Sequence, residues 1–441
     1  MMGARPAAAE VAPGAFRWSR RGVWLTAAAL ETYVLRGRVA GLPVVHTLPF
    51  TVLELVLLLT VATFAVESWR ARRWPRLSTP FGSLIALLWV ATAIAVAVSP
   101  DHRDALGIAK AYLVEPVLYF VVAVEVLRTG DDRERLVLAL YVTGLVVAVS
   151  QAVAVAHAVL THTLNLSVSP PVPTWLWTNN NFGGILLDPL VGLAAGLAVL
   201  GRVRWRRWHI AAAVVLAVGD VLTMSRGSWL ALVAMALLLA ALHPQRRRLL
   251  ALCAVGFVVA LMLPPIRHRV ENELNFTSPA NSLVSRANLW HATLDLIQAR
   301  PVTGAGLAGY QQEIGSYRQA LHAPIHQTHV YPDELILDFW VELGVLGFVF
   351  FLLFWGQLIG LLLPPLRAGP ARAPMVAALA VAWLGIGVHG LFDSPYWKND
   401  LSVEWWALTA LVVLAAAGAA PARGAPRTGA AVAPAAPTPP R

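Results

Sequence analysis

Apolar runs of roughly 20 residues recur along this chain, about the length an α-helix needs to cross the hydrocarbon core of a bilayer. They constrain the fold before anything else is read. A membrane β-barrel would instead show alternating segments of about 10 residues, a pattern this sequence lacks. The composition agrees: 58% of the 441 residues are hydrophobic and 13% charged, whereas a soluble domain carries roughly 25% charged residues. The expectation is an all-α, polytopic integral membrane protein. Spans are predicted over 22–39, 44–67, 81–99, 105–127, 134–160, 182–201, 208–223, 226–243, 248–265, 334–363, 373–391 and 401–419, or about 12 crossings. The pair 208–223 and 226–243 also reads as one broken hairpin.

The basic residues follow these spans. Most of the 34 Lys and Arg side chains fall in the two tails or after every second span. Examples are Arg70, Arg72, Arg73 and Arg76, then Arg202, Arg204, Arg206 and Arg207, then Arg246, Arg247 and Arg248. Basic residues beside helix ends favour the cytoplasmic side. Both termini are therefore expected in the cytoplasm, and the net charge of +10 reflects membrane topology. Trp69, Trp74, Trp205 and Trp208 accompany two of the clusters as interface anchors. The bilayer is the expected partner and nucleic acid is not. The chain divides into a cytoplasmic tail (1–21), N-terminal transmembrane helices (22–265), an external loop with short helices (266–333), C-terminal transmembrane helices (334–419) and an Ala/Pro-rich tail (420–441) that reads as disordered. The lone Cys253 excludes a disulfide framework and reads as a small buried apolar residue.

The long polar stretch at 266–333 is the natural place for chemistry. Arg226 opens the span just before it, in Ser225-Arg226-Gly227-Ser228-Trp229. A guanidinium near hydrocarbon points to function, either as a fork for phosphate or carboxylate or as a snorkelling interfacial side chain. Arg286 lies in an amphipathic helix whose Leu289, Thr293 and Leu296 share one side; it reads equally as a solvated loop arginine. Gly304, Gly306 and Gly309 give a G-x-G-x-x-G with no strand before it, so no nucleotide fold is implied. A turn bringing backbone close to a ligand or to the membrane is expected there.

Pro332, Asp333 and Glu334 suit a helix start. Glu334, Asp338 and Glu342 then recur on one face, directed into the protein or a wet cavity. His326 and His329 lack a third ligand for a metal, so no metal or cofactor is expected. Asn181, His389, Asp393, Lys398 and Asp400 fall on the same predicted outer face as Arg226, Arg286 and Asp333.

At these positions the sequence resembles the O-antigen ligase and polymerase family of bacterial membrane glycosyltransferases. The matching pieces are Ser225-Arg226-Gly227-x-Trp229, Arg286-x-x-x-Trp290, Pro301-x-x-Gly304-x-Gly306 and Asn181-Phe182-Gly183. The resemblance implies a GT-C-like fold in the bacterial inner membrane and a reaction at its outer face. The donor would be a glycan linked through pyrophosphate to a polyprenyl lipid, the acceptor a glycan or glycolipid hydroxyl, and no cofactor or metal would be needed. On this resemblance Arg226 and Arg286 hold the pyrophosphate. The family carries His-Asn nine residues before Gly-x-x-Gly. Here Gly344-Val345-Leu346-Gly347 keeps the glycines, and Asp333-Glu334 stands where His-Asn would be. The resemblance therefore assigns the acceptor base to Asp333 or Glu334, to His329 one turn upstream, or to nothing, in a non-catalytic or transport protein. Ligation and chain polymerisation share this chemistry and are not separated by sequence.

Overall fold

The computed structural model describes residues 16–34, 51–73, 79–165, 180–201, 204–276, 281–320 and 330–419. The described residues are helical, joined by short turns. In chain order the helices are α1 (Arg17–Ala28), α2 (Val52–Arg70), α3 (Gly82–Val98), α4 (His102–Ile108), α5 (Glu115–Val126), α6 (Gly130–Leu160), α7 (Asn180–Leu200), α8 (Arg206–Leu222), α9 (Arg226–Leu242), α10 (Arg246–Met262), α11 (Pro264–Leu274), α12 (Ser282–Ala299), α13 (Tyr310–Ala320), α14 (Leu335–Ala368), α15 (Pro374–His389) and α16 (Asn399–Ala419). A π-helical stretch, Ala109–Val114, joins α4 to α5 in one continuous rod.

Among the described residues, six helical segments are long and apolar enough to cross a membrane: Val52–Arg70, His102–Val126, Gly130–Leu160, Asn181–Leu200, Leu335–Ala368 and Asn399–Ala419. The α3, α9 and α15 helices are apolar but shorter. The α10 and α11 helices meet at an 86° bend and make a seventh candidate if they are one broken span. Each predicted span thus corresponds to a helix, but about half fall short of spanning length. The first differs most. Its helix begins at Arg17 and closes at Ala28, so its first turns carry Arg17, Arg20 and Arg21 and its apolar part is brief. The predicted hairpin at 208–243 is two helices separated by the turn Thr223–Ser225. Cys253 is half-buried, not buried, because α10 has no buried residue at all. Its apolar side chains, such as Leu252, Val255 and Val258, stay exposed, as suits a helix solvated by lipid.

Small residues let the central helices approach. On α7, Gly192 and Gly196 lie against Ala382 and Ala378 of α15, where a Cβ would collide; such close backbone packing is a main source of helix association in lipid. A second layer is aromatic. Phe354 on α14, Trp383 on α15 and Trp405 and Trp406 on α16 meet with ring centroids 4.6 to 5.9 Å apart, in tilted and edge-on geometries that aromatic pairs prefer.

The polar segment is bolted to this bundle at a break in α14. Gly344 has φ 66° and ψ −165° inside the helix, a conformation that glycine adopts without steric cost. The turn at Pro301–Gly309 docks there. The Val345 amide donates to Val302 O at 3.0 Å and the Ala305 amide to Val341 O at 2.8 Å. The Ala308 amide donates to Glu342 at 2.8 Å, and the Leu307 amide to Ala95 O of α3 at 3.2 Å. Gly304 and Gly306 take φ of 63° and 78°, and a Cβ on either would meet the backbone of α14 or of Ser99. The glycine turn therefore serves backbone-to-backbone docking, and not a ligand or the membrane as the sequence suggests. Of the acidic stripe, Asp338 and Glu342 are buried in the protein as expected, and Glu342 finds a backbone amide as its partner.

Gly304→Ala is expected to lower thermal stability in detergent by more than about 1 kcal/mol, from the left-handed backbone plus the clash with Val341 O. Gly315→Ala on α13, where nothing lies within 4 Å of the added Cβ, should leave the melting temperature unchanged or slightly higher.

Candidate functional site

The site forms where α9, α11 and α12 begin or end against the Phe392–Lys398 turn. Thr223 Oγ1 donates to Asp220 O at 2.6 Å and accepts the Ser225 amide at 3.2 Å, which turns the chain from α8 into α9. Ser225 caps α9, so Arg226 occupies its first position. A cation at a helix N-terminus opposes the helix dipole; Arg226 is held there by an ion pair with Glu273 near the end of α11. The charges of Arg269 and Arg286 also act on Arg226, so three guanidinium groups from three helices share one locality.

Arg286 extends from α12 toward Asp393, with its Nη2 3.8 Å from Oδ2, while its Nη1 donates to Ser282 Oγ at 3.1 Å. Asn181 at the start of α7 donates to the same Asp393 oxygen at 2.8 Å. Burial raises Asp393 above the ordinary carboxylate range, the nearby Asp333 charge adds to this, and His389 and Arg286 oppose it. One helical turn beyond Arg286, Trp290 Nε1 donates to Pro332 O at 3.1 Å. The Arg286-x-x-x-Trp290 spacing thus puts both side chains on one face of α12, one reaching Asp393 and the other anchoring the strap that carries Asp333.

Asp333 is not in the first turn of a helix, contrary to expectation. It sits in the strap with φ 57°, a left-handed conformation uncommon for a residue with a side chain. Glu334 is the true cap of α14, accepting the Leu337 amide at 2.8 Å, and the Leu335 amide donates to Gly390 O at 2.8 Å. Burial pushes the Glu334 carboxyl up, against the pull of the Leu337 and Ile336 amides. At Glu334 desolvation thus outweighs the helix end.

His389 is not open to a ligand but buried, its Nδ1 against Asp188 of α7 and its ring beside Gly227 of α9. Asp220 and Ser228 adjoin Asp188, so a buried polar cluster underlies the arginines. Lys398 lies 4.4 Å above the Phe182 ring and 3.4 Å from Asp400. His329, like His322 and His326, lies outside the described residues.

Sequence reading missed Arg269 and Glu273. They are four apart on α11 and resemble an ordinary surface pair. Instead Glu273 turns to Arg226 and to α12, and Arg269 is 5% exposed with its Nε unpartnered among the described residues. The buried Asp188 was also overlooked, although an aspartate in the apolar run Ile185–Leu190 was a signal. A cleft of about 160 Å³ beside the strap is lined by Glu334, Leu335, Ile336, Phe351, Trp355, Gly387, Gly390 and Leu391; none of the three arginines is in its wall.

Residues 211–352 match the family described as O-antigen ligase. The match supports membership of the O-antigen ligase family. The matched segment runs from within α8 to within α14 and contains Arg226, Arg269, Arg286, Asp333 and Gly344, while Asn181, His389 and Asp393 lie outside it. No curated protein matches the chain. The match and the multiple apolar helices together point to a multi-pass membrane protein of a glycosyl-transferring class.

Trp290→Phe keeps the ring and removes the hydrogen bond to Pro332. It is expected to lower stability by only about 0.5–1.5 kcal/mol while raising amide exchange at residues 331–335, read by hydrogen-exchange mass spectrometry.

Proposed function

We propose that this O-antigen ligase family member transfers a glycan from a polyprenyl-pyrophosphate donor to an acceptor hydroxyl at the external face of the bacterial inner membrane, in cell-surface polysaccharide synthesis. The observation that carries the reading is the gathering of Arg226, Arg269 and Arg286 from three helices, with the buried Arg269 given no counter-ion by the described residues. Gathering three like charges in a half-buried place costs free energy that an anion offsets, so a site built this way suits an anionic ligand. The guanidinium fork suits phosphate oxygens.

In the proposed step the acceptor oxygen attacks the anomeric carbon. The bond from that carbon to the phosphate oxygen breaks, and its electron pair leaves with the lipid diphosphate. The three arginines stabilise the charge that grows there, a fixed-donor effect. The acceptor proton passes to Asp333, which we favour over Glu334 because the Glu334 carboxylate is occupied as the α14 cap. Asp393 and Asn181 position Arg286. The apolar cleft beside Glu334 offers a surface for lipid. With both termini cytoplasmic, as the basic clusters suggest, this ensemble faces outward, where a flipped lipid-linked donor is available.

The test is transfer from lipid-linked glycan to acceptor by purified protein in vesicles. Arg226→Ala and Arg286→Ala should each lower the rate about 10²–10³-fold, and Asp333→Asn about 10²–10⁴-fold, with protein levels and melting behaviour retained. Glu334→Gln should cost about 1 kcal/mol of stability at the cap and leave most of the transfer. Undiminished transfer in both arginine variants would reject the proposal.

A further inference from the structure

We infer that Glu273 is an internal stand-in for one phosphate of the donor, and that binding of a lipid diphosphate displaces it. The inference rests on the diphosphate reading above and concerns a residue to which that reading gives no role.

The surroundings of the Glu273 carboxylate are those of a bound phosphate. Its Oε1 accepts the Ser282 amide and the Ser282 hydroxyl, both at 3.1 Å. Its Oε2 accepts the Leu283 amide at 3.3 Å. The Arg226 guanidinium completes the set. These amides open α12, an 18-residue helix, and the first amides of a helix together with its dipole favour anions. The helix does not need Glu273 as its cap: Asn281 already caps it, accepting the Val284 amide at 3.0 Å. Ser282 Oγ also accepts from Arg286, so one carboxylate sits at the junction of both arginines that the family resemblance assigns to pyrophosphate.

A second observation independently points to a larger anion. Arg269 lies on α11 one turn before Glu273, 5% exposed, with its Nε buried and unpartnered among the described residues. Glu273 does not satisfy it. The buried Nε of Arg286 likewise has no acceptor among the described residues. A monovalent carboxylate therefore fills part of a donor array that a diphosphate, with more oxygens and more charge, would use more fully. Glu273 is also placed to leave, next to the last residue of α11, held there by Asn281 Nδ2 donating to Glu273 O at 2.8 Å and to Asn275 O at 3.1 Å. Those two bonds fix the backbone and leave the carboxylate free to rotate out.

The experiment measures binding of farnesyl diphosphate to the full-length protein in nanodiscs. Glu273→Gln, which keeps the shape and removes the competing charge, should bind about 10-fold tighter than wild type, equivalent to about 1.4 kcal/mol. Arg269→Gln should bind at least as much weaker. Unchanged or weaker binding by Glu273→Gln, with wild-type melting, overturns the inference and makes Glu273 a permanent brace. Should that variant fail to fold, hydrogen exchange on the wild-type chain decides. Farnesyl diphosphate should speed exchange in the last turn of α11 while the Ser282 and Leu283 amides stay protected; an α11 protected equally with and without ligand overturns it. If instead wild type and Arg226→Ala bind the probe equally, or wild type does not bind it, the diphosphate reading itself fails. If Arg226→Ala loses binding but Glu273→Gln gains none, that reading stands and the role given to Glu273 alone falls.

Discussion

The break in α14 at Gly344 is the constraint on which the polar half of this protein depends. A helix inside a bilayer must satisfy its own amides and carbonyls, and a break frees some of them. Here the Pro301–Gly309 turn supplies the missing partners, so a loop that would otherwise run free over the surface becomes part of the bundle. This docking fixes α12 relative to α14. It thereby fixes Arg286 relative to Asp393 and Trp290 relative to the strap at Pro332. Gly344 thus acts through backbone geometry.

Charge governs the other half. Isolated ionic groups are costly within hydrocarbon, yet Asp188, Asp220, His389, Asp393 and Asp400 are all buried close to the same end of the bundle. His389 lies against Asp188, which Asp220 and Ser228 adjoin, Asp393 lies between Asn181 and Arg286, and Asp400 faces Lys398. Within this cluster Asp393 holds Arg286 directly, while both Asp220 oxygens have no hydrogen-bond partner among the described residues. Gly227 contributes by its lack of a side chain, since His389 occupies the space a Cβ would take.

The helices were legible in the sequence because lipid imposes a simple code: apolar length and flanking arginines. Arg226, Arg286, Asn181 and Asp393 were legible as candidates because charged or amide groups at span ends stand out. Their meeting was predicted only as a shared face, and the contacts themselves arise from tertiary packing. Arg269 and Glu273 were not legible, since four-residue spacing on a polar helix looks the same whether the two side chains pair or part. The placement of Asp333 was misread because a proline before two acids resembles a helix start, whereas the actual α14 begins after Glu334 and leaves Asp333 in a left-handed turn.

The seam between α7 and α15 has a consequence for how anything bulky could reach the arginines. With Gly192 and Gly196 seated directly on alanine backbone, these helices have no slack to slide or separate, and Asn181 and His389 at their ends behave as fixed posts. The opposite flank is different: α10 buries no side chain and bends sharply into α11. The arginines are thus bounded on one side by a seam that cannot give, and on the other by a helix tied to the bundle chiefly through its chain neighbours α9 and α11.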